Sequence, residues 1–157
     1  MPHIHDKIDF TVGAYIVDKS KVLLVHHRKF DKWLSVGGHV ELDEDPIEAL
    51  RREVREEAGL EITLLRDPTP SNDPTHKELA PPRFMDIHPI SPTHRHIGMY
   101  YIAMPLSGKV TLNVEEHLGI GWFSKEELVG LKTSEACRTY ARIAIEEVDE
   151  FWMRDRR

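Results

Sequence analysis

Residues 45–60 constrain the fold of this chain most, because they encode both ends of one helix. Asp45 can accept hydrogen bonds as the N-cap, Pro46 suits the first helical position, and Glu48 stands where a capping box requires it. Gly59 can close the helix in the left-handed conformation that other residues avoid. The sequence therefore predicts a helix that begins after Asp45 and ends before Gly59.

Three glutamates of this helix, Glu53, Glu56 and Glu57, fall on one strip about 100° wide. Glu56 has Arg52 four residues before it, but Glu53 and Glu57 have no cation at the i±3 and i±4 positions. Like charges at these spacings cost about 0.2–0.5 kcal/mol per pair. The strip is either a solvated acidic face or a site whose missing cation is a metal ion. The stripe beside it is apolar and suits burial: Ile47, Leu50, Val54 and Ala58.

Composition bounds the class of protein. The chain has 157 residues, of which 40% are hydrophobic and 31% charged, and this predicts one domain spanning residues 1–157. A net charge of -6 argues against nucleic acid as a partner and leaves homodimerisation open. One cysteine, Cys137, excludes an intrachain disulfide and favours the cytoplasm. We expect no signal peptide and no membrane partner, since no apolar run is long enough.

Strand patterns lie on both sides of the capped helix, and a long amphipathic helix follows them. The predicted strands cover residues 8–17, 22–28, 32–36, 60–66, 83–88, 96–104 and 118–123, and residues 37–45 read as a glycine-bearing loop. Residues 124–128 open a short helix, and residues 134–153 form the long one. This order predicts a mixed sheet with helices packed on it. The predicted buried residues of the last helix and the core tryptophans are Cys137, Tyr140, Ala141, Ala144, Val148, Trp152, Trp33 and Trp122.

The segment 67–93 carries seven of the ten prolines. A long proline-rich excursion inside a compact domain is often functional, although it can also be a mere connection. If it is functional, we expect it to line or cover a substrate pocket.

The surroundings of the acidic helix match a known signature. Gly38 is followed after five residues by Glu44, and seven further residues lead to "REVREEAGL" at 52–60. All nine specified positions of the Nudix box are filled, which by chance has a probability of order 10⁻⁹ per starting position. The chain thus resembles the Nudix hydrolases. The resemblance implies an α/β fold, an α/β/α sandwich with a mixed, curved β-sheet between helices.

By this resemblance, Glu53, Glu56 and Glu57 are the expected ligands of Mg²⁺ or Mn²⁺, with the backbone of Gly38 beside them. Carboxylates on a rigid helix agree with the oxygen ligands that Mg²⁺ prefers. Gly37 and Gly38 leave the backbone open to an ion or a phosphate.

The resemblance also implies that Glu44 and Arg52 form an ion pair that braces the box, together with the turn at Gly59. Arg52 could instead pair along its own helix with Glu48 or Glu56.

The chemistry implied by the family is attack of water on phosphorus in a nucleoside diphosphate linked to another group. The general base would be Glu115 or Glu116, with Glu116 favoured, unless both are ordinary turn residues. Gly37, His39 and Arg28 are the candidate substrate-binding residues, although His39 could equally be an exposed loop histidine. The alternatives are a catalytically silent nucleotide-binding or regulatory protein and a diphosphate isomerase.

Ten histidines raise a second metal hypothesis. His94 and His96 share one face if they lie on a strand. Structural zinc sites commonly use cysteine, and one cysteine is too few for the usual patterns, so the sequence argues against such a site.

The sequence does not distinguish among the substrates of the family. The short markers for NADH and coenzyme A are missing, and Pro74 is a weak match to ADP-ribose enzymes because its surroundings are so rich in proline. The absence of tyrosine between Leu60 and Met99 argues mildly against dinucleoside polyphosphates.

Overall fold

A mixed β-sheet lies between helices in the computed structural model, which describes residues 6–156. The strands are β1 (Ile8–Asp18), β2 (Lys21–His27), β3 (Lys32–Leu34), β4 (Val36–His39), β5 (Leu60–Leu64), β6 (Phe84–Ser91), β7 (His94–Gly108) and β8 (His117–Phe123). The helices are α1 (Pro46–Ala58), α2 (Lys125–Val129) and α3 (Glu135–Asp155). Nearly every element follows the sequence-based prediction within a few residues.

The two longest strands organise the sheet. β1 and β7 run parallel, with Ile8 opposite Arg95 and Ile16 opposite Ala103, and all other pairs are antiparallel. The strand order is β3-β2-β1-β7-β5, while β4 pairs with β1, β6 with β7, and β8 with β2. Each long strand therefore exchanges one partner for another along its length, and the sheet splits rather than staying flat.

Each face of the sheet carries its own helix layer. Alternate side chains of β1 point to opposite faces, so one set meets α1 and the other meets α3. The α1 side buries Val12, Ala14, Ile16, Leu50, Val54 and Ala58, and the α3 side buries Tyr15, Val17, Leu24, Ala141, Ile145 and Val148. Trp122 packs against the first of these cores and Trp33 against the second, each partly buried.

The caps predicted for α1 are confirmed. Asp45 accepts hydrogen bonds from the amides of Ile47 (2.8 Å) and Glu48 (3.0 Å), and the Glu48 carboxylate accepts one from the Asp45 amide (2.9 Å). Gly59 ends the helix at φ 69°, and a Cβ there would lie 2.5 Å from the Thr111 hydroxyl oxygen. The turn therefore requires glycine for both conformation and space.

The prediction of a loop at the paired glycines is wrong. Val36–His39 is a strand, because β1 offers it a partner: Gly38 lies opposite Val12, and Gly37 opposite Gly13. Glycine is a poor strand former on its own, and here pairing with a remote strand overrides that local preference.

The prediction that Trp152 is buried is also wrong. Its side chain is 47% exposed, and beyond Val148 no described residue of α3 is buried. Ile145, which the prediction omitted, is fully buried in its place. Over residues 6–156, no helix is both long enough and apolar enough to cross a membrane.

Candidate active site

The acidic strip of α1 lies directly against the glycines of β4. The Gly37 amide donates a hydrogen bond to the Glu57 carboxylate at 2.9 Å. A Cβ built on Gly38 would lie 2.3 Å from the nearer Glu53 carboxylate oxygen, so any side chain at this position would collide with it. Helix and strand therefore approach closely only because residue 38 is glycine.

Glu57 is buried and has a partner from the far end of the sequence. Its Oε1 lies 2.9 Å from Nε2 of His117, which is also buried, at the start of β8. Among the described residues, neither ring nitrogen of His117 has a partner with good hydrogen-bond geometry, which is unusual for a buried polar side chain. Ligand atoms of Glu57, Glu116 and His117 all lie within 4.8 Å of one another.

Burial shifts the protonation of two carboxyl groups in the strip. Burial raises the pKa of Glu53 to about 7, with a contribution from the charge of Glu57, while the hydrogen bond from Arg52 opposes the rise. Burial also raises the pKa of Glu57, and the contact with His117 opposes it. Two partly or fully buried carboxyl groups this close together favour a positive charge beside them.

Arg52 occupies the centre of the ion-pair network. Its Nε and Nη2 donate to the two oxygens of Glu44 at 2.5 and 3.0 Å, and Nη2 also donates to the His39 carbonyl at 3.1 Å. Nη1 donates to Glu53 (2.8 Å) and to Glu56 (3.2 Å). The pair with Glu44 and the helical pair with Glu56 thus coexist, and the hydrogen bonds to Glu44 raise the pKa of Arg52.

Glu53 does have a cationic neighbour within its own helix, because the adjacent Arg52 reaches its carboxylate. The helical spacing rule considers residues three and four apart, and so it overlooks this contact between chain neighbours.

The predicted metal ligands do not all point to one place. Glu53 and the more exposed Glu56 are held by Arg52, whereas Glu57 turns toward Gly37 and His117. The compact group on this side of the sheet is Glu57, Glu116 and His117. His117 was missed by sequence reasoning, and the signal for it was a histidine directly after two glutamates at the start of a strand.

The other candidates lie at the edges of the site. Arg28 donates from its side chain to the Val114 carbonyl at 2.7 Å and from its amide to the Glu116 carbonyl at 3.1 Å, so it braces the turn before β8. The backbone of His39 contacts Arg52, but its side chain lies 3.5 Å from Asp9, on the face of β4 opposite Glu53.

The site fits a divalent cation. The carboxylates of Glu53, Glu56, Glu57 and Glu116 supply oxygen donors of the kind that Mg²⁺ and Mn²⁺ prefer. The unsatisfied nitrogens of buried His117 and the raised pKa values of Glu53 and Glu57 are both features that a bound cation would relieve.

An acidic helix seated on a glycine-bearing strand, within a mixed sheet between helices, defines an α/β protein with its polar site at the helix–strand junction. The family model of the NUDIX domain matches residues 7–143, and the chain belongs to the Nudix family of hydrolases. The α/β fold expected from the resemblance is confirmed by the structural matches.

Three similar proteins illustrate the relationship. The chain is 35% identical to a hydrolase of the NUDIX family from Clostridium perfringens, covering 89% of this chain and 97% of that one with a TM-score of 0.77. It is 25% identical to a MutT NUDIX hydrolase from Burkholderia pseudomallei, covering 91% and 99% with a TM-score of 0.67. It is 41% identical over 69 residues to 8-oxo-dGDP phosphatase NUDT18 of Danio rerio. That aligned segment covers 40% of this chain but only 21% of the length of the curated relative.

Proposed function

We propose that this protein hydrolyses a phosphoanhydride bond in a nucleoside diphosphate linked to another group, with Mg²⁺ or Mn²⁺ as cofactor. The observation that carries the proposal is the burial of the Glu57 carboxylate between the Gly37 amide and His117, beside the largely buried side chain of Glu53. Solvated acidic faces do not bury their carboxylates.

Each residue of the site then has a role. Glu53, Glu56 and Glu57, with the backbone of Gly38, would hold the cation, which requires Glu53 and Glu56 to turn from Arg52 toward Glu57. When bound, the cation neutralises phosphate charge and lowers the pKa of water. Glu116 is exposed and close to Glu57, and there it can take a proton from the attacking water as the general base.

Other side chains support this arrangement. Glu44 and Arg52 fix the loop between β4 and α1 against the strip, and Arg52 also donates hydrogen bonds to the carboxylates of Glu53 and Glu56. His117 lies against Glu57 and positions its carboxylate.

The test is a hydrolysis assay on protein stripped of metal with EDTA and then supplied with Mg²⁺ or Mn²⁺. The panel holds ADP-ribose, a UDP-sugar, coenzyme A, NADH, a dinucleoside polyphosphate and 8-oxo-dGDP, the last chosen from the name of the zebrafish relative. We expect cleavage products, identified by mass, only with metal. Turnover in the chelated sample would contradict the mechanism, nucleotide binding without products would indicate a silent binding protein, and a product of unchanged mass would indicate an isomerase.

A further inference from the structure

A second group of ligand-type side chains lies on the opposite face of the sheet. Asp9 is on β1, His39 on β4, and His94 and His96 are on β7. Asp9 is the direct register partner of His96, and His39 is opposite Thr11, two residues beyond Asp9. Since side chains two residues apart share a face, three adjacent strands present all four groups to the same side.

Three histidine side chains approach one oxygen of Asp9. Asp9 Oδ2 lies 2.9 Å from His94 Nε2, 3.5 Å from His39 Nε2 and 4.0 Å from His96 Nε2. The ligand atoms of Asp9, His94 and His96 all lie within 4.8 Å of one another. The ring of His96 is 4.9 Å from that of His39 and 5.5 Å from that of His94, measured between centroids.

Hydrogen bonding explains only one of these contacts. The distance between His94 and Asp9 is that of a normal hydrogen bond, whereas 3.5 and 4.0 Å are too long for one. Ligands of a tetrahedral ion with bonds of about 2.0–2.1 Å lie about 3.3 Å from one another. The three separations from Asp9 Oδ2 scatter around that value, so Asp9, His94 and His96 are placed to share one ion. His39 Nε2, at 3.5 Å from the same oxygen, is the nearby fourth donor, and its side chain would have to rotate to join them.

The neighbouring His88 already has a hydrogen-bond partner of its own. It lies opposite His96 on β6, but its Nδ1 is 2.8 Å from the Asp86 carboxylate, a complete hydrogen bond. Asp86 in turn accepts a hydrogen bond from the Tyr140 hydroxyl at 3.2 Å. His88 therefore belongs to a separate pair.

We propose that Asp9, His39, His94 and His96 bind a transition-metal ion of the Zn²⁺ type. Three imidazoles and one carboxylate are a donor set that suits Zn²⁺. The single cysteine of the chain argues against a cysteine-based zinc site, but this donor set needs no cysteine. The ligands stand on paired strands, which fix their spacing better than a loop would. The Asp9 and His39 side chains are 43% and 53% exposed, so an ion can enter from solvent.

This site is distinct from the glutamate helix. Gly38 faces Glu53 on one side of β4, while His39 faces Asp9 and His96 on the other. The proposal therefore does not depend on the proposed function, and its test must exclude the carboxylates of α1.

The experiment is calorimetric titration of tag-free, metal-stripped protein with ZnCl₂. The host is a Glu53→Gln/Glu57→Gln variant, so that the acidic helix does not compete. We expect one equivalent of Zn²⁺ to bind, and Asp9→Asn, His94→Ala and His96→Ala each to weaken binding by at least about tenfold. The matched control is His76→Ala, an exposed histidine in the segment before β6, paired with Asp73, which should leave the affinity unchanged.

A second measurement protects the test against misfolding of the host. Co²⁺ added to the otherwise unaltered protein should give the strong visible absorption of a tetrahedral site, and His96→Ala should abolish it while keeping the parent melting temperature within a few degrees. Replacing His3 and His5, which lie outside the described residues, should change neither result. Zn²⁺ affinity that is equal in the His94→Ala, His96→Ala and His76→Ala variants would overturn the proposal, as would dependence on His3 or His5.

Discussion

Glu57 has two contacts that helical spacing cannot reveal. Spacing alone predicts that Glu57→Gln relieves repulsion from Glu53 and Glu61 and leaves the metal-free protein as stable as the parent or slightly more so. The buried carboxylate, however, accepts a hydrogen bond from Gly37 and contacts His117.

We therefore expect Glu57→Gln to lower the free energy of unfolding in EDTA by about 1–3 kcal/mol, because the contact with His117 is lost or inverted. Activity should fall by orders of magnitude. Chemical denaturation in EDTA measures the first effect, and Glu56→Gln, which changes an exposed carboxylate of the same strip, should stay within about 0.5 kcal/mol of the parent. If Glu57→Gln is as stable as the parent, the His117 contact contributes nothing to the fold.

The pH dependence of metal-free stability follows from Glu53. Its pKa is about 7 in the folded protein against an ordinary value of 4.5, so the folded state binds the proton more tightly than the unfolded state. The contribution of Glu53 is thus fully present below pH 4.5 and is lost as the pH rises through about 7. Its full size is at most about 3 kcal/mol.

Unfolding in EDTA at several pH values between 4.5 and 8 measures this effect. The parent should lose stability relative to Glu53→Gln as the pH rises, and Mg²⁺ should stabilise the parent more at the higher pH because protons no longer compete. Asp67→Asn, which removes an exposed carboxylate, should follow the parent. Parallel curves for parent and Glu53→Gln would show that Glu53 ionises normally.

At the level of elements, the sequence predicts the features that depend on neighbouring residues and misses those that depend on distant ones. The ends of α1 could be predicted because Asp45, Glu48 and Gly59 act on backbone groups within a turn of themselves. The strand at Gly37 and Gly38 could not, because its partner is more than twenty residues earlier in the chain.

The same distinction holds within the site. The pair of Glu44 and Arg52 could be predicted from the box, whereas the contact of Glu57 with His117 joins residues sixty positions apart. No periodicity in a single sequence encodes that contact.

The segment between β5 and β6 is tied to the capped end of α1. Lys77 donates to the Asp45 carboxylate at 2.7 Å and lies 3.7 Å from Glu48. We expect replacement of residues 72–79 by a short Gly/Ser linker to change KM or substrate preference while the protein stays folded. The reason is that the segment would no longer be held over the loop between β4 and α1, which ends at Asp45. Buried Ala80 is kept.

Steady-state kinetics on the substrate panel checks this prediction. Lys77→Ala, which removes only the anchor, is the matched comparison and should shift KM in the same direction by less. An unchanged substrate profile in the folded linker variant would show that the segment is only a connection.

On the scale of the whole molecule, the two helix layers should contribute separately. Ile145→Ala opens a cavity in the α3 core and should lower the free energy of unfolding by about 2–5 kcal/mol. The metal concentration needed for half-maximal activity should not change, because that core lies across the sheet from the acidic strip. Trp152→Ala should cost less than about 1 kcal/mol, since the ring is 47% exposed. Denaturation and metal titration of both variants check this, and a shifted metal requirement in Ile145→Ala would argue against separate layers.

The parallel pairing of β1 with β7 also determines when the protein can fold during its synthesis. Residues 8–16 have to wait for residues 95–103, and Glu57 has to wait for His117. At about 5–20 residues per second, the ribosome completes α1 about 3–12 s before it adds His117. Through that interval α1 can already bury its apolar stripe, because the buried residues that pack against it, from β1, β2, β4, β5 and β7, all precede β8. A nascent chain stalled before β8 can therefore hold a packed helix while the carboxylate of Glu57 still lacks the histidine beside it.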